Sequence, residues 1–186
     1  MKKLKRIKVT TPHHVELMRV IYNENIDMLS THKLLYRTYE EQQAWWLDAS
    51  KHSVAYLYQP YSKPGKYVAF LLLRKRDGFS TPTIAIQEEE WGSKYGQEIV
   101  QDYIKLANGP LAGSQLQINK KICHINEKFG WKIIGEQGEG ELKIDLLYHP
   151  GVNKHVQCSR EIFSNILSYL KISLDKCDTL YSKFIL

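Results

Sequence analysis

Residues 84–104, IAIQEEEWGSKYGQEIVQDYI, constrain this chain more than any other stretch. An apolar segment, Ile84-Ala85-Ile86, runs into three glutamates and a short turn, Trp91 to Gly96. A helix signal follows at once. Ile99, Val100, Tyr103, Ile104 and Ala107 fall on one helical face. Asn108-Gly109-Pro110 ends it. The order strand, glycine-containing loop, helix start aims the free backbone N–H groups of the first turn, at the positive dipole end, over the loop. An anion such as a pyrophosphate suits that position. Two glycines before a helix are also compatible with a plain turn.

A second stretch, residues 116–136, reads LQINKKICHINEKFGWKIIGE. A short strand ends at Asn119. A helix follows with Ile122, Ile125 and Phe129 on one face, Gly130 stops it as a left-handed cap, and Trp131–Ile134 starts a new strand. These residues resemble the GNAT acyl-CoA N-acetyltransferases. In that family the corresponding helix reads roughly N-x-x-[S/A]-x-x-hydrophobic-x-E-K-hydrophobic-G-[F/W]-x-x-x-G. Asn119, Ile125, Glu127, Lys128, Phe129, Gly130, Trp131 and Gly135 stand at the matching offsets. Upstream, W-G-S-K-Y-G-Q-E is similar to the family's pyrophosphate loop, and the two patterns come in the right order. The resemblance covers about residues 50–148.

Three positions depart from the family pattern. Lys94 stands where a glycine is usual, and glycine there allows close backbone approach and unusual dihedrals. Lysine instead offers an ammonium to phosphate. Ile122 replaces a small residue. Asn126 sits where many relatives carry a tyrosine thought to protonate the departing thiolate, and asparagine is no general acid.

The chain has 186 residues, enough for one sizeable core, with 43% hydrophobic and 25% charged residues. No apolar run approaches the roughly 18 residues of a membrane span. The start, MKKLKRIKV, lacks the apolar region of a signal peptide. Three cysteines without metal spacing, Cys123, Cys158 and Cys177, point to a reducing cytoplasm and no disulfide framework. No spacing of ligands supports a metal site. The net charge of +6 suits a polyanionic small molecule, nucleic acid or an anionic membrane. The chain lacks the interleaved aromatic and basic pattern of RNA modules, and neither nucleic acid nor membrane is expected as a partner.

In order, the pattern predicts a strand at 4–9 and a helix capped by Thr11 with Pro12 at its first position. Residues 26–37 read as a helix turn or a linker, with Leu34, Leu35 and Tyr36 the ambiguous residues. Thr38 and Glu41 form a capping box for a second helix containing Trp45 and Trp46. Strands are expected at Ser53–Tyr58, Tyr67–Arg74 and Thr83–Glu88, joined by Pro64-Gly65 and Asp77-Gly78 turns. Gln115–Ile118 must then pair parallel to Thr83–Glu88 across the helix, and Lys132–Glu136 and Glu141–Tyr148 close the sheet. Ser159 caps an amphipathic helix with Ile162, Phe163, Ile166, Leu167 and Leu170 on one face. That helix packs on its own domain, on a second copy or on a partner.

The expected architecture is thus α/β. It has a mixed, mostly antiparallel twisted sheet with flanking helices, a central splayed parallel pair as the resemblance implies, and a C-terminal helical extension. Residues 1–150 form the GNAT-like domain and 151–186 the extension, in a monomer or homodimer. The resemblance implies acetyl transfer from acetyl-CoA, as cosubstrate, to a primary amine. Ile84, Ile86 and Gln87 would lie along the pantetheine arm. Trp91, Gly92, Ser93, Lys94, Tyr95, Gly96 and Gln97 would hold the pyrophosphate, and Asn119 would contact the arm from the facing strand end. Glu88 is the expected base, with His124 and His149 behind it. Asn126 orients a water, and Tyr95 or Tyr148 supplies a phenol. Trp45 or Trp46 lines an acceptor pocket, and the segment Tyr36–Trp46 is similar to that of amino-sugar enzymes of the family. Acetylation of a protein amine, and an acyl-CoA sensor without catalysis, are the competing expectations.

Overall fold

The computed structural model describes residues 3–29, 36–153 and 157–185. The elements are β1 (Leu4–Lys8), α1 (Pro12–Glu24), α2 (Tyr39–Ala49), β2 (Ser53–Pro60), β3 (Ala69–Lys75), β4 (Ser80–Ile86) and α3 (Tyr95–Ala107). They continue with β5 (Leu111–Leu116), α4 (Lys120–Lys128), β6 (Lys132–Gln137), β7 (Ile144–His149), α5 (Arg160–Tyr169) and α6 (Cys177–Phe184).

The helix starts follow from their caps. Thr11 accepts from the His14 N–H at 3.2 Å, and Thr38 and Glu41 exchange both bonds of the capping box at 3.2 and 2.8 Å. Ser159 accepts from the Ile162 N–H and opens α5. Of the ambiguous segment, Ile26–Met28 is a short 3-10 turn and Tyr36 is exposed; Leu34 and Leu35 lie outside the described residues.

The strands form a seven-stranded sheet in the order β1-β2-β3-β4-β5-β7-β6. Every pairing is antiparallel except β4 with β5. Several strand boundaries differ from expectation, and two of them bear on the site. The strand predicted at Gln115–Ile118 starts at Leu111, directly after Pro110; Gly113 and Ser114 mask its apolar alternation, and Ile118 lies beyond it, exposed. The strand predicted to reach Glu88 ends at Ile86, because Glu88–Glu90 turn into a 3-10 segment.

Alternation along the strands sorts the core into two faces. Leu71, Leu73, Leu111 and Leu147 bury against Ile99, Val100 and Tyr103 of α3, with α4 alongside. On the other face, Leu57, Phe70, Leu72 and Ala85 meet Val15, Met18 and Ile21 of α1. Beside them, Ala112, Ile144, Leu146 and Tyr148 meet Phe163, Ile166 and Leu167 of α5. The C-terminal helices therefore share the core and cover the β5–β7 half of this face. Tyr148 and Phe163 stack edge to face at 5.5 Å. Full burial of each apolar α5 side chain is worth about 1.5–3 kcal/mol. Phe163→Ala should lower unfolding free energy by about 3–5 kcal/mol in a urea titration, with a single transition because α5 and the sheet melt together.

His149 ends β7 and ties it to the end of α4. The Gly151 N–H donates to its Nδ1 at 2.9 Å, so Nε2 carries the proton and donates to the Phe129 carbonyl at 2.9 Å. Burial holds its pKa below the ordinary histidine value, against the opposing pull of that carbonyl. The unfolded chain therefore binds this proton more readily. Its stabilising contribution is present above about pH 6.5 and is lost as pH falls through the depressed folded value. Urea midpoints measured from pH 7.5 to 5 should fall for the wild type and flatten in His149→Gln.

Candidate functional site

The site begins where the sheet stops being continuous. β4 and β5 share a single register pair, Ser80 with Leu111, next to the bond from the Ser80 N–H to the Pro110 carbonyl at 3.0 Å. Beyond it β4 stays with β3 as far as Ile86, and β5 stays with β7 as far as Leu116. The inner edges separate, leaving backbone groups that need partners. A cavity of about 630 Å³ fills the gap. Pro82–Ile86 and Gly113–Leu116 form its walls. Tyr103 and Trp131, stacked edge to face at 6.2 Å, form part of its lining from the α3 side. Asn25, Met28 and Leu29 reach it from beyond α1.

The mouth is the loop before α3. Gly92 takes φ +90°, with no atom within 4 Å of where a Cβ would stand. Lys94 takes φ +70°, so this lysine occupies the left-handed position that favours glycine. It is the N-cap of α3 and offers no side-chain cap. The Tyr95 N–H has Ser93 Oγ at 3.4 Å, while those of Gly96 and Gln97 are free for an incoming anion. Lys94, Lys120 and Lys121 add positive charge to the lining, and the Lys121 ammonium lies 5.7 Å from the Trp91 ring centre. Trp91 Nε1 donates to the Ile86 carbonyl at 3.0 Å, which fixes the loop against the strand end.

The three glutamates divide into two kinds. Glu88 and Glu89 are exposed and lie outside the cavity lining. Glu90 is 7% exposed, lines the cavity and accepts from Lys63 at 2.6 Å and Lys66 at 3.1 Å. The hydrogen bond from Lys63 leads in holding its pKa below the ordinary carboxylate value, so it is an anchor between the loop and the β2–β3 hairpin. Sequence reasoning missed it because its partners lie more than twenty residues upstream. Glu24, at the end of α1, has its pKa raised by burial first, then by Glu89 and Glu88, with Gln87 opposing.

Ile84, Ile86, Trp91, Gly92, Ser93, Lys94, Tyr95, Gly96, Gln97, Asn119 and Asn126 all line the cavity; Gln87 does not, and its N–H is held by the Val68 carbonyl at 2.8 Å. Asn119 caps α4, accepting from the Ile122 N–H at 3.3 Å. Asn126 is the end of a buried relay. The Asp145 carboxylate only accepts, so Gln115 donates to it through Nε2 at 2.8 Å and accepts through Oε1 from Asn126 Nδ2 at 2.8 Å. This leaves Asn126 Oδ1, an acceptor, without a partner. His124 is an exposed rim residue. Tyr148 is fully buried under α5, away from the cavity, whereas Tyr95 and Tyr103 line it. Burial raises the pKa of Tyr103, opposed by the nearby Trp131 indole. Trp45 and Trp46 pack on the α1 face and do not reach the cavity.

No family model and no curated protein matches the chain. Solved structures do. An N-acetyltransferase from Staphylococcus aureus aligns with TM-score 0.68 at 14% identity, covering 80% of this chain and 99% of that one. A spermidine N-acetyltransferase from Vibrio cholerae, solved with CoA and spermine, gives 0.67 at 12%, covering 80% and 96%. A GNAT-family acetyltransferase from Streptococcus pneumoniae gives 0.62 at 17%, covering 81% and 100%. The chain has the GNAT acetyltransferase fold.

Among the described residues no group of side chains is placed to hold a metal, and no helix is long and apolar enough to cross a membrane. Lys94→Gly should leave stability equal or higher by up to about 1 kcal/mol, since it relieves a left-handed lysine. A clear loss in urea denaturation would show instead that the lysine side chain holds the loop.

Proposed function

We propose that this protein transfers an acetyl group from acetyl-CoA to a primary amine of a small molecule. The observation that carries this reading is the coincidence of an unpaired β4 edge with an uncapped, lysine-flanked start of α3 at its end. An extended arm with amide groups satisfies the open edge at Ile84 and Ile86, as an added strand would. The amides of residues 92–97 and the lysines take its pyrophosphate. An N–H of β4 polarises the thioester carbonyl. The amine nitrogen bonds to that carbon, the carbon–sulfur bond breaks, and the amine proton is lost to a base while the thiolate gains one.

Glu88, or Glu24 beside it, receives the amine proton through water; the raised Glu24 is the better acceptor of the two. Tyr95 and Tyr103 are the phenols that the cavity lining offers the thiolate. Asn126 presents an acceptor and orients a water or an N–H. The fold neighbour named for spermidine supports a small amine acceptor. The Tyr36–Trp46 segment directs the choice among amines to an amino sugar, and nucleotide linkage fits the basic chain. These residues act in the cytoplasm on this reading.

Isothermal titration of acetyl-CoA tests it. The wild type should bind, and Gly96→Pro, which removes a free N–H and places a ring carbon against Ile125, should weaken binding at least about tenfold. Free thiol should then appear in an amine screen. Absence of wild-type binding sinks the reading. Binding without thiol release for any amine favours a sensor, a role that the acceptor-only end of Asn126 also suits.

A further inference from the structure

A second set of cations lies on the opposite face of the sheet from α3. Arg74 follows Leu72 by two residues on β3, so it points to the α1 side. Its Nη1 donates to Thr83 Oγ1 at 3.0 Å, and Thr83 lines the cavity. Thr81, the cross-strand partner of Arg74, is 2% exposed, and its hydroxyl has no hydrogen-bond partner. Arg37 is held between the rings of Tyr22 and Trp45, at 4.8 and 4.6 Å. Arg76 lies 5.3 Å from the ring of Tyr169 on α5.

Among the described residues, none of these three guanidinium groups pairs with a carboxylate. Glu16 on α1 is taken by Arg19. Arg74 is largely buried, and burial is the first cause of its lowered pKa, with Arg76 and Arg37 adding to it. A buried cation beside two others, with no anion, is costly. Three planar forks, with Arg37 also donating to Gln42 Oε1 at 3.0 Å, match the several oxygens of a phosphoryl group better than a single carboxylate. Aromatic faces on both sides suit a sugar or a base.

We infer that the acceptor amine is carried on a phosphorylated molecule whose phosphoryl group binds Arg74, Arg76 and Arg37 between α1–α2 and α5. Nucleotide-linked amino sugars belong to this class. The inference rests on the transferase reading only in naming that ligand the acceptor.

The test is calorimetry on protein saturated with CoA, which fills the site at α3. Inorganic pyrophosphate and UDP should both bind the CoA-loaded wild type, and uridine should not. Arg74→Gln should weaken UDP at least tenfold and leave CoA affinity unchanged; Arg76→Gln, at an exposed position, should weaken it less. Arg74→Lys, which keeps the charge and loses the fork, should fall between. Three outcomes overturn the inference. One is UDP binding only when CoA is absent. Another is equal UDP affinity in the wild type, Arg74→Gln and Arg76→Gln. The third is binding of glutamate with none of pyrophosphate. Loss of CoA binding by the wild type would count against the transferase reading alone, since pyrophosphate binding at Arg74 is scored separately.

Discussion

The parting of β4 from β5 after one register pair is the constraint on which the rest of the molecule depends. Each strand is satisfied on its outer side, β4 by β3 and β5 by β7, so each inner edge bears the cost of its unpaired backbone groups. Side chains keep the gap from closing. Tyr103 rises from α3 and Trp131 stands at the start of β6, with Gly113 opposite the indole, where a Cβ would touch it at 3.6 Å. The bulk that stabilises the core on this face is thus also what separates the strands. Closing the ladder would require moving two buried aromatic rings that contribute several kcal/mol of packing.

Much of this was legible locally. The caps at Thr11, Thr38 and Ser159, the loop at Gly92 and the stop at Gly130 are signals carried within a few residues, and the structure places each where expected. What was not legible depends on distant partners. Glu90 read as one of three adjacent glutamates; its burial and its bond to Lys63, brought across by the hairpin, distinguish it. Asn126 read as a lost acid, yet its hydrogen-bonding sense is set by Asp145 on another strand, through Gln115. The start of β5 hid behind Gly113 and Ser114, whose small side chains suit the gap and weaken the alternation by which a strand is recognised. One of Trp45 and Trp46 was read as an acceptor aromatic, because adjacent indoles cannot both point to the centre of one buried face. In the fold both are half-buried against the α1 core, and the Arg37 guanidinium lies over the Trp45 ring at 4.6 Å.

The net charge of +6 was ambiguous as a sum and becomes informative once divided. Lys94, Lys120 and Lys121 gather at the α3 mouth, while Arg37, Arg74 and Arg76 gather across the sheet. The residue types differ as their settings do. Flexible, hydrated lysines ring an open mouth where backbone N–H groups do the directional work. The Arg37 guanidinium stands between two aromatic rings and that of Arg76 over one, where stacking lowers the cost of holding them. A ligand that is anionic at both ends of a transfer reaction would need this division.

The C-terminal helices bear on how large an acceptor can be. An extended peptide would need a long open surface beside the cavity on the α1 face. α5 and α6 cover the β5–β7 half of that face with Phe163, Ile166 and Leu167, all fully buried. Ile162 packs so closely on the turn before β4 that a Cβ on Gly78 would meet it at 2.5 Å. Arg74 and Tyr169 stand at the border of this cover with α1–α2, while Asn25, Met28 and Leu29 meet the cavity beyond α1. A border lined by arginines and aromatic rings admits a compact anionic molecule more readily than a polypeptide, and this weighs against acetylation of a protein amine.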